Sequence, residues 1–246
     1  MFKRTIKIMP SDVGSNGKIK LRSLLNYFQD TAGLAVIDVE GTTTELLARG
    51  YAWVLMKYEI DFTGDLPSLD ESMEICTFHD PNHGYNTLRI FRVYSQGQLI
   101  VSAKTSWLLI DVNSGRPVKP MAHIPGIENI GEDERISPDF REIPDISDII
   151  HSVEIPVMFH DLDYNGHVNN AAYFEWVHDS SPVDLATHSL KTVCASFRSG
   201  ARLGERVTLS FGEFLSGGAV VCSVKRPDVN RPSASFLCEW SVNNAQ

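Results

Sequence analysis

The sequence predicts an α+β chain of two tandem units, each a long helix wrapped by an antiparallel sheet. Three observations lead there. A motif recurs at a shift of 149 positions, so that Met9, Asp12, Asn16 and Gly17 fall on Met158, Asp161, Asn165 and Gly166, and Val13 and Ile19 fall on Leu162 and Val168. Each copy follows a short strand-like run, 5–8 or 152–157, and precedes a segment of helical period. Beyond each helix the apolar pattern turns to strict alternation and stays so through several runs broken by turn residues.

In the first unit Leu21, Leu24, Leu25, Phe28, Ala32 and Ala35 keep the spacing of one buried helix face. Thr42, with Glu45 three positions on, forms a capping box for a short helix that ends at Gly50. Val54, Met56, Tyr58, Ile60 and Phe62 alternate with Leu55, Lys57, Glu59 and Asp61, which predicts a half-buried strand. Further strands fit 72–78, 86–94 and 99–112, with Gln96-Gly97 as a hairpin turn. The stretch 115–147 is rich in Pro, Gly, Asp and Glu, lacks periodicity, and reads as a linker between units 1–114 and 148–246. In the second unit helical character begins near Val168 and turns Tyr173, Phe174 and Val177 inward, leaving Glu175 solvated. Strands fit 192–198, 206–213, 219–225 and 234–242, with a turn at Ser216-Gly217-Gly218.

With 246 residues, 43% hydrophobic and 22% charged, the chain has the composition of a globular protein with a sizeable core. No apolar run approaches the ~18–20 residues of a membrane span, so no membrane partner is expected. Met1-Phe2-Lys3-Arg4-Thr5-Ile6 passes straight into a strand pattern without the apolar stretch of a signal peptide. Cys76, Cys194, Cys222 and Cys238 lie far apart in apolar runs without metal spacing, as expected of buried thiols in a reducing cytoplasm. A net charge of −9 argues against nucleic acid. It leaves room for an acidic protein partner if basic residues cluster locally.

The chemistry concentrates in Asp161-Leu-Asp-Tyr-Asn-Gly-His-Val-Asn-Asn170. Asp163, Asn165 and His167 alternate, which holds a carboxylate, a neutral polar anchor and a general base within a few residues of backbone. The helix that follows leaves N–H groups unpaired at its start, so Val168, Asn169 and Asn170 are candidate oxyanion donors. A calcium loop is the rival reading of Asp161-x-Asp163-x-Asn165-Gly166, but the position of its closing Glu is Ala172. A plain turn and helix cap is the other rival. Neither requires an imidazole, and the first copy carries Gly14, Ser15 and Lys18 where the second has Asp163, Tyr164 and His167. That asymmetry points to one active site per chain.

This organisation resembles the acyl-acyl carrier protein thioesterases, a tandem double hot-dog family. The likeness rests on the decapeptide with Tyr173 and Trp176, on Leu24-Leu-Asn-Tyr-Phe-Gln-Asp-Thr-Ala32, on Trp53-Val-Leu and on Ser106-Trp-Leu-Leu-Ile110. The resemblance implies hydrolysis of a fatty acyl thioester on acyl carrier protein, with Asp163, Asn165 and His167 as the active-site Asp, Asn and His. It also implies that the first unit, through the helix 21–39 and its sheet, holds the acyl chain, with Leu25 and Phe28 as candidate pocket positions. No metal or organic cofactor is implied, and a homodimer is left open.

The chain departs from the family in one place. Where the family carries an acid, often followed by Cys, aligning Phe197-Arg198 and Gly204-Glu205 puts Gly200 and Ala201. A cysteine nucleophile therefore has no candidate. Either Asp163 covers the acid's role, or turnover is slow, or the chain binds acyl thioesters without cleaving them. Two mechanisms stay open: His167 as general base toward water with Asp163 orienting it, or Asp163 as nucleophile through an anhydride. The alternatives in function are an acyl-coenzyme A thioesterase, another hot-dog enzyme such as a hydratase, and a non-catalytic acyl-thioester-binding module.

Overall fold

A computed structural model describes residues 1–127, 136–227 and 229–243. The chain divides into two compact units, Met1–Lys57 with Thr63–Phe140, and Tyr58–Phe62 with Arg141–Gln246. The division falls within the stretch read as a linker, of which residues 128–135 lie outside the described residues. Part of that stretch is ordered onto the first unit. No helix among the described residues is long and apolar enough to cross a membrane.

The first unit contains β1 (Phe2–Lys7), α1 (Leu21–Leu34), α2 (Ile37–Glu40), α3 (Thr43–Ala48), the start of β2 (Tyr51–Phe62, whose Tyr58–Phe62 counts with the second unit), β3 (Ser72–His83), β4 (Asn86–Ser95), β5 (Gln98–Asp111), β6 (Arg116–Val118) and α4 (Pro120–His123). Its sheet runs β1-β3-β4-β5-β2, with β6 paired to β5. The β1/β3, β3/β4 and β4/β5 pairs are antiparallel. Gln96 and Gly97 both have positive φ, 51° and 79°, as a two-residue hairpin turn with right-twisted strands demands. The capping box forms: the Thr42 hydroxyl accepts the Glu45 N–H, and the Glu45 carboxylate accepts the Thr42 N–H at 2.7 Å.

Leu24, Leu25 and Phe28 are fully buried, and the Phe28 ring stacks on Phe91 of β4 with centroids 4.6 Å apart and planes 6° from parallel. Burial of this kind contributes about 1.5–3 kcal/mol for each large apolar side chain. The helix is shorter than the 21–39 implied by the family. After Leu34 the chain tightens, Val36 N–H bonding to the Gly33 carbonyl, and α2 starts afresh. The alternation read into β2 holds over Tyr58 and Ile60, both buried, but not at its start, where Val54 is exposed and Leu55 buried. Tyr51 and Trp53 pack on a cluster of Leu46, Leu109, Ile124 and Ile127, whereas Tyr58 belongs to the second unit and meets Phe174 edge-on. One strand serving two cores cannot keep a single inward face.

The second unit contains β7 (Ile149–Pro156), α5 (Asn170–Ser180), β8 (His188–Phe197), β9 (Arg206–Gly212), β10 (Ala219–Lys225) and β11 (Ala234–Val242), in the sheet order β8-β11-β10-β9-β7. In α5 Ala171, Ala172, Tyr173, Phe174, Trp176 and Val177 are all buried, which is more than one face. Glu175 is accordingly half-buried, not solvated as the sequence pattern suggested. Phe174 meets Phe236 of β11 edge-on at 5.1 Å. Both units are hot-dog folds, a central helix against an antiparallel sheet.

Candidate active site

The internal repeat extends to individual hydrogen bonds. In the first copy the Asp12 carboxylate accepts the Met9 N–H, Gly14 N–H bonds to the Lys18 carbonyl, Gly17 N–H to Gly14, and Lys20 N–H to Asp12. In the second the Asp161 carboxylate accepts the Met158 N–H, Asp163 N–H bonds to His167, Gly166 N–H to Asp163, and Asn169 N–H to Asp161. Isolated bridges Val13–Ile19 and Leu162–Val168 close the two loops, and Gly17 and Gly166 share a φ of 73°. Both loops therefore have the same backbone, and only the second presents an acid and an imidazole.

Asp163 is half-buried, and one of its oxygens accepts the N–H of Asn165 at 2.8 Å and of His167 at 3.3 Å. The carboxylate thus reaches His167 through the backbone, shaping the turn that presents the ring. Asn165 and Tyr164 are exposed at the tip, and His167 is half-buried. The two carboxylates of the calcium-like run are turned onto backbone N–H groups, and Ala172 is buried in α5.

The oxyanion assignment needs correction. Val168 N–H bonds to the Ala201 carbonyl at 2.9 Å and Asn169 N–H to the Asp161 carbonyl at 2.8 Å, so neither is available to a ligand. The helix starts at Asn170, with Asn169 as its N-cap accepting the Ala171 N–H at 2.8 Å. Of the three candidates, only the Asn170 N–H is without a partner among the described hydrogen bonds. Leu25 and Phe28 lie in the first unit, fully buried in its core.

Sequence reading missed the segment that supports the loop. Ala201 gives its carbonyl to Val168 and its N–H to the buried Tyr173 hydroxyl at 2.9 Å. Burial raises the Tyr173 phenol. Glu205 accepts the Arg202 N–H and grips Arg226 through both oxygens, at 2.8 and 2.6 Å. The first copy repeats this too: Ile19 N–H bonds to Pro67, and Glu71 accepts the Ser68 N–H. The signal was present in Leu69 and Glu71 recurring as Leu203 and Glu205, at a shift of 134 positions.

Strand register gathers the surrounding loops. Ala234 opposes Phe197, Lys225 opposes Thr208 and Pro156 opposes Arg206, so the end of β7, where the loop begins, lies with the ends of β8 and β10. Exposed Arg198, Arg202, Arg206 and Arg231 sit on this side of the second unit, against a chain charge of −9.

All four cysteines are free and buried. Burial pushes the thiols of Cys194 and Cys238 up to about 12, and those of Cys222 and Cys76 upward as well. Since the thiolate is the reactive form, treatment of native protein with iodoacetamide is expected to leave activity intact. Rapid inactivation tracking one labelled cysteine would show a nucleophile that the site geometry lacks.

Similarity to known proteins assigns these tandem hot-dog units to a family. Residues 1–124 match the model of the acyl-ACP thioesterase N-terminal domain and residues 147–225 that of the C-terminal domain. The chain belongs to the acyl-ACP thioesterase family. It is 24% identical over 216 residues to a chloroplastic palmitoyl-acyl carrier protein thioesterase of Arabidopsis thaliana, covering 80% of this chain and 52% of that protein. A chloroplastic oleoyl-acyl carrier protein thioesterase of the same plant is 24% identical over 216 residues, covering 80% of this chain and 59% of that one. The chain thus spans about half the length of the curated relatives it matches. Among solved structures, a putative oleoyl thioesterase from Lactobacillus plantarum superposes with a TM-score of 0.87 at 21% identity, covering 99% of this chain and 97% of that one. The 12:0-ACP thioesterase from Umbellularia californica does so with a TM-score of 0.84 at 17% identity, covering 98% and 97%.

Proposed function

We propose that the chain hydrolyses a fatty acyl thioester carried on the phosphopantetheine arm of acyl carrier protein, releasing the free fatty acid. The observation that carries this reading is the duplicated loop, whose two copies share a hydrogen-bonded backbone while Asp163 and His167 occur in one. A structural turn gains nothing from that asymmetry; a single catalytic centre requires it.

In this reading His167 takes a proton from water as the oxygen attacks the thioester carbon. Sulfur conjugates weakly with the carbonyl, so the carbon is electrophilic and thiolate leaves readily. The Asn170 N–H, at the positive end of α5, and the Asn165 amide hold the oxyanion. When the tetrahedral intermediate collapses, the C–S bond breaks and the imidazolium returns its proton to the thiolate. Asp163 keeps the turn in shape through the His167 and Asn165 N–H groups, a role that favours it as loop former over nucleophile. The first unit, with Leu25 and Phe28, takes the acyl chain. The arginines beside the loop favour an acidic carrier protein.

The test is a panel of acyl carrier protein and coenzyme A thioesters assayed for released thiol. Faster cleavage of the carrier-protein esters is expected. Cleavage of coenzyme A esters alone would replace the carrier, and binding without release of thiol would leave an acyl-binding module.

A further inference from the structure

We propose that Gly200 is a positioning residue for His167, seating the imidazole against a backbone that has no side chain; this rests on the reading of His167 as general base. A Cβ placed on Gly200 would lie 2.8 Å from His167 Cβ and 3.0 Å from both Cγ and Cδ2. Real Cβ atoms do not make the 2.8 Å approach, and since its partner is His167 Cβ, fixed by the backbone, a side chain at 200 must shift the turn together with the ring it carries. Conformation is not the reason for glycine here. Gly166 and Gly204 have positive φ and open space around them, whereas Gly200 is absent from the positive-φ glycines.

The first copy supplies a control. The bond from Val168 to Ala201 corresponds to that from Ile19 to Pro67, which places Gly200 opposite Leu66 and His167 opposite Lys18. The two copies differ at this contact: in the first, Lys18 bridges to Ser68 and a leucine stands at the glycine's position. Glycine appears in the copy that carries the histidine. The seat is held from both sides, since Ala201 is tied to α5 by the Tyr173 hydroxyl and to the loop by Val168. Among the described residues no hydrogen bond or ion pair reaches the His167 ring, which leaves packing to orient it.

Gly200→Ala tests this. In the folded variant the His167 ring signals, identified in the NMR spectrum by their loss in His167→Ala, should move. The value of kcat should fall by about 10²-fold, the cost of misplacing a catalytic group by an ångström, with KM little changed. Ring signals that stay put would overturn the seat, whatever the activity. Moved signals with unchanged kcat would overturn the positioning role, and full activity in His167→Ala would show that the general-base reading had failed instead. Should Gly200→Ala not fold, His167→Gly in the same chain removes every atom the new methyl meets. Folding of that double variant supports the seat, and its failure to fold overturns it.

Discussion

His167→Ala is expected to lower thioester hydrolysis by about 10²–10⁴-fold, the usual contribution of general-base catalysis, while the protein keeps its fold. The ring is half-buried at a loop that the backbone already holds: Asp163 N–H bonds to the His167 carbonyl, and the Asp163 carboxylate accepts the His167 N–H. An alanine keeps both bonds, and the Leu162–Val168 bridge needs no side chain at 167. The loss should therefore fall on kcat, with acyl thioester still bound. The measurement pairs kcat and KM on an acyl carrier protein thioester with a thermal melt. Unchanged kcat in folded protein would move the active site away from this loop.

The same loop shows what a sequence can and cannot disclose. Asp12, Asn16 and Gly17 recurring as Asp161, Asn165 and Gly166 made the duplication legible, because both copies use identical side-chain chemistry over a fixed spacing. Thr42 with Glu45 and the Gln96-Gly97 turn were legible for the same reason, since each is a local device. Long-range partners were not. Val168 and Asn169 looked available as oxyanion donors because their acceptors, the carbonyls of Ala201 and Asp161, are brought to them by the fold. The supporting turn at Arg202–Glu205 escaped notice because its repeat runs at a shift of 134, not 149, positions, the second copy having a shorter path from helix to sheet. Gly200 could be read as a missing acid, but its contact with the His167 ring exists only in three dimensions. Alternation misplaced Val54 and Leu55 because a period of two assumes that one core lies behind the whole strand.

Phe28→Ala is expected to destabilise the protein by about 3–5 kcal/mol, the range for truncating a buried phenylalanine. The ring is fully buried in α1 and stacks on Phe91, so the substitution loses the transfer energy of the ring, leaves a cavity, and removes an aromatic pair contributing about 0.5–1.5 kcal/mol. Among the described residues no second ring pairs with Phe91. The acyl profile carries separate information. If the proposed acyl pocket ends at Phe28, the new space admits chains longer by a few carbons, each buried methylene adding about 0.8 kcal/mol of binding. The denaturation midpoint and the chain-length profile should be measured on the same preparation. A lowered midpoint is the expected result, and a shift toward longer chains beside it would place Phe28 at the pocket. A lowered midpoint with the wild-type profile would leave Phe28 as core against the first sheet and withdraw it from the pocket.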